Sequence, residues 1–255
     1  MTHICKFLGA VLACVLVTAV ASADPINVAG STGSWQPMPA PTGSGSGSPF
    51  WDSGPTDGGQ KNVGNFVSGT GSFLANPVSP SLALSNLNYW ATGAGLADPN
   101  VYFTTTPPNG PVTTTLRLEL AGFSGSNILG YYDSTGDHVL FVGADGAGAV
   151  ATINAIGAFG LYLISPEGTF RSDPGLYGAT SDDSFQHFAI FKELDNNKLW
   201  FGVEDLKGGG DKDYNDMLVS LECVPEPASV LSFVIGGLAV GCYGAYRRRQ
   251  KPANS

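Results

Sequence analysis

Residues 112 to 120 alternate between a mainly apolar face and a polar face. One face carries Val112, Thr114, Leu116, Leu118 and Leu120, and the other carries Thr113, Thr115, Arg117 and Glu119. A period of two residues is that of a β-strand with one buried face, and it excludes a helix, whose period is about 3.6. Similar segments, separated by Gly, Asp, Pro and Ser turns, lie at 101–106, 137–143, 158–164, 185–193, 198–204 and 216–222. This spacing predicts an all-β fold, an antiparallel β-sandwich that is jelly-roll-like.

The composition agrees with a folded β-protein. Only 13% of the residues are charged, about half the roughly 25% of an average soluble protein. The chain has 35 Gly and 17 Pro, yet hydrophobic residues make up 43%, so a core can form. A helical bundle and disorder throughout are therefore not expected.

The folded body carries a strong negative charge. All 21 acidic residues but only seven of the 12 basic ones lie between residues 24 and 228, which gives this stretch a net charge of −14. Such a body repels nucleic acid and anionic membrane surfaces. Cations and polar surfaces are better candidates for its ligands.

Residues 1–23 have the pattern of a secretory signal peptide. Lys6 precedes an apolar run from Phe7 to Val20, and Ala21 and Ala23 form a small-x-small cleavage site. A run of about 14 apolar residues spans about 21 Å as a helix, short of the roughly 30 Å hydrocarbon core of a membrane. We expect export and cleavage after Ala23, and not an N-terminal membrane anchor.

Three features follow one another at the C-terminal end. Pro225, Glu226 and Pro227 hold the chain extended, and the uncharged stretch 230–246 then has the minimum length for a single transmembrane helix. A cluster of basic residues follows at once, namely Arg247, Arg248 and Arg249. Basic residues beside a membrane segment stay in the cytoplasm, so the C-terminus is expected inside and the body outside.

These last 30 or so residues resemble the PEP-CTERM sorting signal, which has the same three parts in the same order. The resemblance implies an exosortase-type processing enzyme as a partner, and then delivery of the body to the cell surface or the extracellular matrix, where exopolysaccharide is a further candidate partner. The alternative is a permanent single-pass anchor, which would contact the membrane through the same segment.

The body between the two ends divides by composition. Residues 24–49 are rich in Gly, Ser and Pro and are expected to be flexible, whereas 50–109 hold scattered aromatic residues that fit either strands or long loops. The clear strands belong to 110–223, and 224–255 form the sorting region. Of four cysteines only Cys223 would remain after export, so no disulfide within the domain is expected.

The residues most suggestive of a binding site lie between two strands, at 204–216. This loop holds five carboxylates and three consecutive glycines. Hard oxygen ligands without His or Cys favour calcium. The alternative is an acidic hairpin splayed into solvent. An EF-hand would need Gly at its sixth position, where Asp216 stands, and Glu222 as its last ligand.

The segment from Phe201 to Val219 resembles the signature of the DUF4114 family, most strongly here and more weakly back to about residue 110. The resemblance implies an all-β extracellular module, calcium binding and no established enzymatic activity. The positions that match its acidic pattern are Glu204, Asp205, Asp211, Asp213, Asn215 and Asp216.

Three functions remain as hypotheses. The first is a non-enzymatic, calcium-stabilised protein of the cell surface or exopolysaccharide matrix. The second is a carbohydrate-binding module for the cell's own exopolysaccharide, with tryptophans as a stacking platform. The third is a glycoside hydrolase, which needs two carboxylates about 5–10 Å apart in a groove. We expect no catalytic residue, because His187 fits a strand better than a catalytic base. Trp35, Trp51, Trp90 and Trp200 likewise fit a β-core better than a sugar-stacking platform.

Overall fold

Thirteen strands and one short helix make up the part of the chain that the computed structural model describes, which is residues 26–43, 49–53, 62–69, 82–106, 108–196 and 198–223. All of it belongs to one unit, Asp24–Val224. The strands are β1 Ile26–Gly30, β2 Ser34–Pro37, β3 Leu87–Ala91, β4 Val101–Thr105, β5 Val112–Glu119, β6 Ile128–Asp133, β7 Gly136–Val142, β8 Val150–Ile153, β9 Gly160–Ser165, β10 Gly168–Arg171, β11 Phe188–Glu193, β12 Leu199–Val203 and β13 Met217–Cys223. The helix is α1, Val63–Ser68.

The expected signal peptide, sorting motif, transmembrane segment and arginine cluster lie outside the described residues. Within the described ranges, no helix is both long and apolar enough to cross a membrane.

The strands form three antiparallel sheets, which confirms the all-β prediction. The large sheet has the order β2-β3-β11-β12-β13-β5-β8, the small sheet has the order β10-β9-β6-β7, and β1 pairs with β4. Strand β5 shows the alternation of buried and half-buried residues that the sequence predicts.

Aromatic side chains fill the space between the sheets. Phe103 of β4 packs edge-on against Phe201 of β12, with ring centroids 5.3 Å apart, and contacts Phe159 at 5.4 Å. Phe159 in turn contacts Tyr131 of the small sheet. This shared aromatic core makes the fold sandwich-like, because one face of the large sheet is covered by the other strands.

The opposite face of the large sheet is covered as well. Trp200 of β12 belongs to a second hydrophobic cluster, in which Trp51 and residues of α1 lie over the sheet. Trp51 is completely buried and contacts Phe191 of β11. All five residues of β12 are therefore buried, whereas the alternation of Leu199, Phe201 and Val203 indicates only one buried face.

The structure differs from the expectation of a flexible segment at 24–49, because β1 and β2 lie within it. The cause is the buried carboxylate of Asp98, which accepts hydrogen bonds from the Ser31 hydroxyl and the Gly33 amide at 2.8 and 2.7 Å. It also accepts one from the Trp90 indole. A carboxylate 65–67 residues away in the sequence thus helps to fix a segment whose own composition is that of a linker.

Substitution of Gly202 by alanine tests the second covered face. A Cβ at this position would lie 2.6 Å from the backbone oxygen of Tyr214 and would also clash with Val63. We expect Gly202→Ala to destabilise the protein by about 1–3 kcal/mol, the usual cost of overpacking. Gly146→Ala is the matched control, since a Cβ there meets nothing within 4 Å. Equal unfolding midpoints for both variants in urea would contradict this packing.

Candidate functional site

The acidic loop at 204–216 joins β12 to β13, the two central strands of the large sheet. It begins with Glu204 and Asp205, makes a short 3-10 turn at Lys207–Gly209, and returns through a parallel bridge between Val203 and Asn215. The three glycines adopt positive φ values. Lys212 and Tyr214 do so too, and for these two residues the sequence did not predict it. The loop therefore folds back tightly on the end of β12.

Most of the predicted site residues are buried by this folding. Glu204 is fully buried, and Asp205, Asp213 and Asn215 are at most 3% exposed. Asp216 is also buried, and only Asp211 is half-exposed. The side chains thus point inward rather than splaying into solvent.

The carboxylates form two groups that share Glu204. One group is Glu204, Asp205 and Asp216, and the other is Glu204, Asp211 and Asp213. Within each group, one oxygen of every residue lies within 4.8 Å of the others. The structure therefore brings together all five carboxylates of the sequence prediction, but in two sets and not one.

Hydrogen bonds account for several of the site's oxygens. Asp216 Oδ2 accepts from the Asp205 amide at 2.7 Å, and Asp213 Oδ1 accepts from the Asn215 amide at 3.1 Å. Glu204 Oε1 accepts a long hydrogen bond from the Leu206 amide at 3.3 Å. Glu204 Oε2 is buried and has no hydrogen-bond partner among the residues that the structure describes.

The local electrostatics favour the neutral form of these groups. Burial, together with the charges of Asp216, Asp211 and Asp213, raises the pKa of Glu204 to about 10. Burial and the charge of Asp205 raise the pKa of Asp216 to about 7. Burial also raises the pKa of Asp205. In the described residues no lysine, arginine or histidine forms an ion pair with Glu204, Asp205 or Asp216.

Residues from other parts of the chain hold the loop, and the sequence did not reveal them. Asp183 Oδ2 accepts from the Gly208 amide and Glu167 Oε2 accepts from the Lys207 amide, both at 2.7 Å. Asn127 Nδ2 donates to Asp205 Oδ2 at 2.8 Å. These residues come from three other connections, and no local motif marks them.

The chemistry of the site fits a hard cation. Both groups consist of carboxylates without His or Cys, and such hard oxygen ligands suit calcium or magnesium better than zinc or copper. The orphaned Glu204 Oε2 is an acceptor that lacks a donor, and a cation would satisfy it. The EF-hand alternative does not fit, because Glu222 lies on β13 and forms an ion pair with Lys198.

Other candidate residues belong to the core. Trp51, Trp90 and Trp200 are buried, so they form no exposed platform. His187 is fully buried and stacks on Phe170 with centroids 3.7 Å apart. Cys223 is buried as well. The buried positions of these residues support a role in core packing and not in sugar binding or catalysis.

Comparison with known proteins identifies one domain. Residues 139–223 match the family described as "Domain of unknown function (DUF4114)". No curated protein and no solved structure matches the chain. The chain thus carries a DUF4114 domain at 139–223, which includes the whole acidic loop.

Proposed function

We propose that the protein is an exported, non-enzymatic protein of the cell surface or exopolysaccharide matrix, and that calcium bound by the β12–β13 loop stabilises its β-domain. The observation that supports calcium most directly is the fully buried Glu204, whose Oε2 has no hydrogen-bond partner among four neighbouring carboxylates. Without a cation such a group must hold a proton. In the proposal, calcium takes the place of that proton.

The proposed location rests on the two ends of the sequence. The signal peptide at 1–23 would direct export, and an exosortase-type enzyme would recognise Pro225, Glu226 and Pro227 next to the membrane segment 230–246. The acidic body fits an environment where calcium is abundant. Extracellular calcium modules work with dissociation constants of about 0.1–1 mM.

The two alternatives have weaker support. A carbohydrate-binding module needs exposed aromatic rings, whereas three of the four tryptophans lie in the core. A glycoside hydrolase needs carboxylates that reach a sugar chain in a groove. Glu204 and Asp205 are at most 2% exposed, which fits an enclosed ion better than an extended polysaccharide.

Calcium should raise the unfolding temperature of the protein. With a dissociation constant of about 0.1–1 mM, about 10 mM calcium adds roughly 1.4–2.7 kcal/mol to the free energy of unfolding. Asp213→Asn should reduce this gain, because it removes one charge from the site. Asp195→Asn is the matched control, since Asp195 is exposed on another loop. Equal melting temperatures in chelator and in calcium would refute calcium stabilisation.

The stability of the calcium-free protein should fall as the pH rises. The pKa values of Glu204 and Asp216 in the folded state are about 10 and about 7, above their ordinary values of 4.5 and 3.8. At a pH between a group's ordinary pKa and its pKa in the folded state, the folded protein holds a proton that the unfolded chain has released, so higher pH favours unfolding. We expect a loss on the order of 1 kcal/mol per pH unit between about pH 5 and about pH 7.

Urea denaturation in chelator at several pH values measures this slope. Glu204→Gln cannot titrate and should flatten the slope. Burial lowers the pKa of His187 in the folded state, which contributes a slope of opposite sign below about pH 6.5, so the carboxylate contribution is the difference between the wild type and Glu204→Gln. Equal slopes in the two proteins would show that Glu204 is ionised in the folded protein.

Processing of the C-terminus should remove the membrane segment. Mature protein from the native host should lack the residues after about Pro227, and Glu226→Ala should keep the chain in the membrane fraction. Glu222→Ala, which changes a nearby glutamate outside the motif, should be processed normally. Intact-mass spectrometry of the surface protein measures which residues remain. Residues 247–255 still attached to most molecules would indicate a permanent anchor instead of a processed sorting signal.

A further inference from the structure

Asn127 places a buried oxygen without a hydrogen bond beside the acidic loop. The residue lies just before β6 and is 1% exposed. Its Nδ2 donates to Asp205 Oδ2 at 2.8 Å, whereas its Oδ1 has no hydrogen-bond partner within the described part of the chain. Because both atoms belong to one planar amide, Oδ1 lies within one amide width of the contact with Asp205. An acceptor beside a carboxylate is unfavourable unless a cation or donor lies between them.

Glu119 at the end of β5 adds a second orphaned oxygen near the same carboxylate. It pairs in register with Met217, the residue after Asp216. Its Oε1 is buried without a hydrogen-bond partner. Burial raises the pKa of Glu119 to about 7, with contributions from the charges of Asp145 and Asp205. Glu119 is thus a second residue that has an unsatisfied acceptor and on which the charge of Asp205 acts.

One ion cannot reach all five carboxylates of the loop. Two oxygens bound to the same calcium at about 2.4 Å can be at most about 4.8 Å apart. Among the described residues this limit is met by two separate triads, and Asp205 and Asp216 do not join the triad of Asp211 and Asp213. Glu204 alone belongs to both. A single dication would leave three of the five negative charges uncompensated, and two dications would leave one.

We propose that the loop binds two calcium ions that share Glu204, and that the second ion, held by Asp205 and Asp216, takes Asn127 Oδ1 as a further ligand. This inference rests on the proposed calcium function. It adds a residue that precedes the matched DUF4114 segment and assigns the two triads to different ions.

Calcium stoichiometry tests the proposal. The full chain in mild detergent is titrated with calcium chloride by calorimetry, and bound calcium is counted by equilibrium dialysis. We expect two ions per chain. Asn127→Ala should weaken one of them by about tenfold or more and leave the other unchanged. Asp211→Asn should affect the other ion. Asn27→Ala, an exposed asparagine on β1, should keep both.

The variant Asn127→Asp distinguishes two roles of Asn127, a calcium ligand through Oδ1 and a purely structural hydrogen-bond donor through Nδ2. If Oδ1 binds calcium, the aspartate keeps the second ion, and calcium raises the melting temperature of this variant more than that of the wild type. If Asn127 only donates to Asp205, the new carboxylate repels it and calcium gives no larger gain. One ion in the wild type, or two unweakened ions in Asn127→Ala, would overturn the second site while leaving calcium stabilisation intact. No bound calcium at all would refute both.

Discussion

The rest of the structure depends on the burial of the central hairpin β12–β13 on both faces. Phe201 packs against the aromatic core between the sheets, and Trp200 packs into the cluster on the other side. A loop that connects two such strands starts and ends in the protein interior. Residues 183–187 and the turn between β9 and β10 then cover it, since Asp183 and Glu167 bind its backbone amides. The topology, and not the polarity of the loop, determines that its carboxylates are buried.

This burial places negative charges close together, and in the part of the chain that the structure describes no basic side chain forms an ion pair with Glu204, Asp205 or Asp216. Two carboxylates about 5 Å apart repel each other by roughly 3 kcal/mol at an effective dielectric constant of 20. Glu204 shares its surroundings with four such groups. Protons can neutralise part of the charge, as the raised pKa values of Glu204 and Asp216 indicate. Under the proposed function, calcium competes with these protons, so the free energy of unfolding depends on the calcium concentration around the protein.

The sequence predicted those features that depend on residues close to one another along the chain. Strand β5 was predicted from its alternation, and the acidic loop was predicted because its carboxylates are close together in the chain. Strand β6 was missed, since it is buried on almost every residue and shows no alternation. Asn127 and Asp183 were missed because tertiary structure alone brings them to the loop. The jelly-roll connectivity and both processing signals stay predictions.

The family match covers less than the unit that buries the loop. Strand β5 lies before residue 139, yet it pairs with β13 along the whole of that strand, from Met217 to Cys223. Trp51 and α1, which cover the other face of β12, also precede the match. A fragment of 139–223 would therefore expose one edge of β13 and one face of β12 to water. Strand β5, Trp51, α1 and Asn127, which help to bury or hold the acidic loop, thus precede the matched segment, whereas Asp183 and Glu167 lie within it.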